Sequence, residues 1–268
     1  MTPTQSSQSQ SKAQRRAEAQ RRAAEKRAAE LRRKRTQVGI RVGVVGVVIV
    51  AIIVVVVLVT SGSSSPPASF TNPHISLEPI PASMKGSWIQ PPAQPAGPEG
   101  IGVPSGPKLA TLINAATGQT VDGIQCQTGE QTVVHVHTHL TIFVNGQARQ
   151  VPGAIGIPGV QSQQSPSGPY IAAGTCFYWL HTHAADGIIH IESPVHRTYT
   201  LGNFFDEWGQ PLSASRVGPA SGHVVAIYNG QVFTGNPRDI PLTAHAQIQL
   251  EVGTPLVAPE QITFPNGL

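Results

Sequence analysis

Two short stretches decide how this chain reads: Val133–Thr141 (VVHVHTHLT) and Leu180–Glu192 (LHTHAADGIIHIE). In an extended strand, side chains at i, i+2 and i+4 share a face. His135, His137 and His139 therefore form one row, and His181 and His183 part of another. Asp186-Gly187 is a two-residue hairpin signal, since both central positions of a type I′ turn need positive φ. With that turn, His183 faces His190 and His181 faces Glu192, at Cβ separations of about 4.5–5.5 Å. Three imidazoles and a carboxylate then share one small surface, where the function is expected to lie.

Imidazole suits zinc, copper, iron and nickel, and a carboxylate completes many such sites. Three or four ligands must converge within about 2.0–2.3 Å of the ion, which rigid strand faces do better than loops. The candidate ligands are His135, His137, His139, His181, His183, His190 and Glu192, with copper or zinc as the expected cofactor. Seven groups exceed what one ion takes. Either some orient the others or two ions bind. The bland alternative is a solvent-facing or internally hydrogen-bonded histidine stripe, which two period-two rows with a sixth histidine in register fit poorly. His196, His223 and His245 are isolated, and Asp186 reads as a turn residue.

Whole-chain charge misleads. Residues 1–35 carry eleven Lys and Arg against three Glu, whereas from Ser61 onward six Lys and Arg face eleven Asp and Glu. The basic character belongs to a tail, so nucleic-acid binding by the globular part is not expected. Residues 42–60 (VGVVGVVIVAIIVVVVLVT) hold no charge and span roughly 28 Å as a helix, about the thickness of a bilayer core. The basic block before them places the N-terminus in the cytoplasm and the remainder outside, in a single-pass protein of the plasma membrane. A cleaved signal peptide is the rival reading, but the apolar run is long and no small-x-small site follows it.

Cys126 and Cys176 both fall in the outer part, where a pair reads first as a disulfide. Copper ligation by Cys176 needs a closely following His and usually an axial Met. The chain has only Met1 and Met84, so the disulfide is expected.

The organisation follows: 1–37, a basic cytoplasmic tail; 38–60, a transmembrane helix; 61–107, a linker with eleven prolines; and 108–268, an extracytoplasmic β domain. Within it Gln131–Val144 alternates, with Val134, Val136, Leu140, Ile142 and Val144 on one face and the histidines on the other. Asn145-Gly146 and Asn229-Gly230 mark hairpins, Leu201–Trp208 a short helix, Ala246–Val252 a last strand, and Pro152–Pro169 a loop.

Gly129, His135 and His137 stand as G-x5-H-x-H, which resembles the first half of a cupin metal motif. Leu140 and Thr141 occupy the place of that motif's acidic residue, so its ligand set does not carry over. H-x-H-x-H-L together with W-L-H-T-H-x-x-x-G-I-I-H-I-E is similar to a group of uncharacterised single-span bacterial envelope proteins, over most of the outer domain. That resemblance implies no activity. The expected fold is all-β, an antiparallel sandwich or small barrel of cupin-like or cupredoxin-like type behind a single transmembrane helix.

Three functions fit these signals. One is a membrane-anchored metal-binding protein without turnover. Another is a metalloenzyme using Glu192 or a metal-bound water as base. The third is an interaction domain whose histidines respond to pH. Membrane and metal ion are the expected partners. No Ser/His/Asp order, phosphate loop or H-E-x-x-H helix is present.

Overall fold

Alternating apolar residues build the sheet that carries the histidines. The computed structural model describes residues 75–84, 89, 91, 94–112 and 116–268, which fall in one unit, Thr71–Leu268. The expected tail and the expected helix over 38–60 lie outside the described residues. Among the described residues no helix is long and apolar enough to cross a membrane.

In chain order the strands are β1 (Leu77–Glu78), β2 (Cys126–Gln127), β3 (Val134–Val144), β4 (Gln147–Arg149), β5 (Gln161–Ser165), β6 (Gly168–Ala173), β7 (Phe177–Tyr178), β8 (Leu180–His181) and β9 (Ile188–Ser193). Helix α1 (Leu201–Trp208) follows, then β10 (Leu212–Ser213), β11 (Arg216–Val217), β12 (Ala220–Ser221), β13 (Val224–Tyr228), β14 (Gln231–Phe233) and β15 (Gln247–Val252). The main sheet runs β1-β14-β13-β15-β3-β9-β8, with β4 also paired to β3. The architecture is mostly β, as expected, but the sheet is mixed: β15 joins β3 in parallel, Ile248 beside Leu140 and Leu250 beside Ile142. Both strands present an apolar row to the same core, and this pairing keeps the two rows on one face.

That core is sealed by α1. Leu201, Phe204, Phe205 and Trp208 are buried at i, i+3, i+4 and i+7, the spacing of one helical stripe. They pack in one cluster with Leu140, Ile142, Ile189, Ile191, Ile248 and Leu250. Each fully buried aromatic contributes roughly 1.5–3 kcal/mol. Thr200 caps the helix through a reciprocal pair with Asn203, and Gly209 ends it at φ 71°, a left-handed conformation that glycine adopts without Cβ strain.

The Asn145-Gly146 and Asn229-Gly230 hairpins form as expected, with φ of 51° and 71° and of 49° and 79°. The disulfide Cys126–Cys176 is present, its Cα atoms 5.4 Å apart, beside the pairing of β2 with β7. The expected loop Pro152–Pro169 instead contributes β5 to a hairpin with β6. The described part of the proline-rich stretch packs on the domain. Leu77 pairs with Phe233, Ile89 bridges Glu260, and Met84 and Ile101 are buried.

Candidate metal centre

Strand β3 lies beside β9 in antiparallel register, His135 opposite Glu192, His137 opposite His190 and His139 opposite Ile188. The two histidine stretches are thus neighbours in one sheet rather than walls facing across a barrel. On the far side of β9, His181 of β8 lies opposite His190. The two-residue turn at Asp186-Gly187 would have placed His183 there. The register differs because the chain after His181 leaves the ladder. Thr182 Oγ1 donates to the Pro152 carbonyl at 2.9 Å and accepts the Ile155 N–H at 3.1 Å. The Thr182 carbonyl accepts the Ala154 N–H and the His183 carbonyl the Ile171 N–H. Residues 182–187 therefore form a longer connection, closed where Asp186 Oδ1 accepts the Ile188 N–H. Gly187, at φ 89°, sits so close to the Leu140 carbonyl that a Cβ would lie 2.5 Å from its oxygen.

Six of the seven candidate ligands converge. They form two overlapping groups whose ligand atoms all lie within 4.8 Å of one another: His181, His183, His190 and Glu192, all buried, and His135, His137, His190 and Glu192. Glu192 Oε1 lies 3.2 Å from His135 Nε2, 3.4 Å from His190 Nδ1 and 3.9 Å from His181 Nε2. His139 is the exception. Its Nε2–H donates to the Asp186 carbonyl at 2.9 Å, and its Nδ1 meets the Thr141 hydroxyl at 3.3 Å. Both nitrogens are engaged, and burial pushes its pKa down to about 4, so it is a neutral structural imidazole. His245 stacks on Phe264, its ring donates to the Leu268 main-chain oxygen, and its backbone N–H donates to the His137 carbonyl at 2.7 Å, so it borders the cluster without belonging to either ligand group.

Backbone carbonyls set the tautomers. A carbonyl oxygen only accepts, so His181 Nδ1 donates to the Tyr178 carbonyl (2.8 Å) and His183 Nδ1 to the Ile171 carbonyl (2.5 Å). The proton of each neutral ring is then on Nδ1, and each Nε2 carries a lone pair. Those two Nε2 atoms stand 3.2 Å apart. Burial foremost, then His190, holds both rings below their ordinary pKa, so no proton bridges them. Two lone pairs at that separation repel unless a cation lies between them. The edge of a tetrahedral site with ligands at about 2.0–2.1 Å is about 3.3 Å.

His190 is tuned the other way. Its Nε2–H donates to Glu99 Oε1 at 2.6 Å, and its Nδ1 faces His137 Nε2 at 3.1 Å. Burial opposes its charge, but Glu192 and Glu99 outweigh burial and push the pKa up to about 9. His137 is driven down to about 3, by burial first and then by His190. His190 is therefore an imidazolium donating to Glu99 and His137, and an ion bound here would take the place of its Nδ1 proton. Glu99 holds the His190 Nε2 proton and stands where an acid would fix the tautomer of that ring as a ligand.

Sequence reasoning missed Glu99 and Glu130. Glu99 lies 91 residues from His190, in a Pro98-Glu99-Gly100 turn with no periodicity to mark it. The surplus of imidazoles over carboxylates was the one available hint. Glu130 Oε1 approaches His183 Nε2 to 3.6 Å, and its pKa is raised by burial and by Glu192. Both acids border a cavity of about 600 Å³ onto which His135, His137, His183, His190 and Glu192 open. Comparison with protein-family models, with curated proteins and with solved structures finds no match for this chain.

Proposed function

We propose that this is a membrane-anchored, extracytoplasmic metal-binding protein that holds copper or zinc through His181, His183, His190 and Glu192. The observation that carries the reading is the pair of Nε2 lone pairs on His181 and His183, 3.2 Å apart and each fixed by a carbonyl behind it. Hydrogen bonding alone does not account for that arrangement. Nitrogen and oxygen donors favour borderline divalent ions, Zn²⁺ or Cu²⁺. Cys176 is bound to Cys126, which argues against the thiolate ligation of a cupredoxin-like site. The anchor rests on the uncharged run 42–60 behind its basic block, and the disulfide supports an oxidising compartment.

The cavity beside the cluster supports a second reading, a metalloenzyme in which Glu130 lies next to the ion. The test of metal binding itself is elemental analysis of untagged full-length protein in detergent, followed by Zn²⁺ and Cu²⁺ titration after chelator treatment. A dissociation constant below about 1 μM is expected. The paired change His181→Ala and His183→Ala should weaken binding by more than the ~100-fold that loss of an outer-shell partner costs. Wild-type protein that retains no metal and binds neither ion at that strength would overturn the proposal.

A further inference from the structure

Resting on the metal-binding reading of this cluster, we infer that the centre holds two ions, bridged by Glu192, rather than one. His181, His183, His190 and Glu192 supply the four ligands of one ion. His135 and His137 are left over on the other side of the same carboxylate, their ring centroids 4.9 Å apart. His135 Nε2 lies 3.2 Å from Glu192 Oε1. His190 cannot serve both ions, because its Nε2 is committed to Glu99 at 2.6 Å and only Nδ1 remains.

Glu192 can serve both. Its residue is 4% exposed, and its Oε2 is buried with no hydrogen-bond partner among the described residues. A buried carboxylate oxygen left without a partner is costly, and a cation satisfies it. Glu192 Oε1 is the oxygen that faces both groups, 3.2 Å from His135 Nε2 and 3.9 Å from His181 Nε2, and a carboxylate bridging there sets the two ions about 3.5–4 Å apart, the spacing of two-metal sites. The second ion is held by His135, His137 and Glu192. Because the His135 side chain is 44% exposed and lines the cavity of about 600 Å³, the fourth position of this ion faces the cavity. The first ion is enclosed; the second has an exchangeable position, the arrangement that separates reactive from purely structural sites.

The experiment is native mass spectrometry of chelator-stripped, full-length protein titrated with Zn²⁺, with Cu²⁺ electron paramagnetic resonance on the same wild-type chain. Two zinc ions per wild-type chain and one in the His135→Ala/His137→Ala variant are expected. At two equivalents of Cu²⁺, the resonance should show the dipolar coupling of neighbouring ions, absent at one equivalent. One zinc ion in both wild type and variant, with an uncoupled copper signal, overturns the second ion while leaving the first. A wild type holding one ion and a folded variant holding none overturns the division into two sites. A wild type that binds no ion overturns the underlying metal reading as well.

Discussion

Replacing Thr182 by Val tests whether the segment between His181 and His183, the proposed ligands, is held by its hydroxyl. Thr182 is 0% exposed, and Val matches its shape. The change removes two bonds at once, to the Pro152 carbonyl at 2.9 Å and from the Ile155 N–H at 3.1 Å. Both backbone groups belong to buried residues, where each unsatisfied group costs about 1–3 kcal/mol. The sum is about 2–6 kcal/mol, and the buried methyl that replaces the hydroxyl returns about 0.8 kcal/mol. A net loss of about 1–5 kcal/mol follows, together with the 10–100-fold fall in metal affinity typical of a lost supporting bond. Chemical denaturation of metal-free protein followed by tryptophan fluorescence measures the first, and zinc titration the second. Thr182→Ser keeps the hydroxyl and should keep most of both. A Val variant within about 0.5 kcal/mol of wild type, the range of a neutral surface change, and with native zinc affinity, would refute the reasoning.

Two further outcomes concern protons. Glu207 is fully buried with no partner for either oxygen among the described residues, and burial first, then Asp122, raises its pKa well above 4.5. A raised folded-state pKa means the folded protein keeps a proton that the unfolded chain loses. Stability therefore falls as pH rises above 4.5, by about 1.4 kcal/mol per pH unit until the folded pKa is reached. Glu207→Gln should abolish that slope, melting with wild type near pH 4.5 and above it at pH 7.5; parallel pH profiles would refute this. Metal must displace the His190 proton held up to about 9, so affinity should weaken about tenfold per pH unit below that value. Calorimetry at pH 7.5 in buffers of different ionisation enthalpy should report about one proton released, whereas flat affinity from pH 7 to 9 would contradict the assignment.

Period-two alternation made β3, its core face and its histidine face legible, and the two Asn-Gly turns were readable because their positive φ demands those residues. The Asp186-Gly187 turn misled for a physical reason. Local turn chemistry was overridden by hydrogen bonds from residues 152–155 and 171, distant in sequence, which moved His181 rather than His183 opposite His190. His139 shares the face of His135 and His137, yet the carbonyl of Asp186 takes its Nε2. A pattern that fixes which face a side chain occupies does not fix its partner. Glu99 came from a stretch without periodicity, and only the folded chain brings it to His190.

The parallel partnership of β3 and β15 makes the ligand strand wait. Thr138 and Thr243, which share a hydrogen bond at this seam, are 105 residues apart. Such remote pairings close slowly, after the local hairpins. As the chain is synthesised, β9 can join β3 well before residues 247–252 have emerged. In that interval His139–Val144, the half of β3 that β15 covers, lies on an open strand edge, the kind of edge that invites pairing with foreign strands. Order of assembly, and not only final stability, therefore bears on whether the chain closes this edge or aggregates.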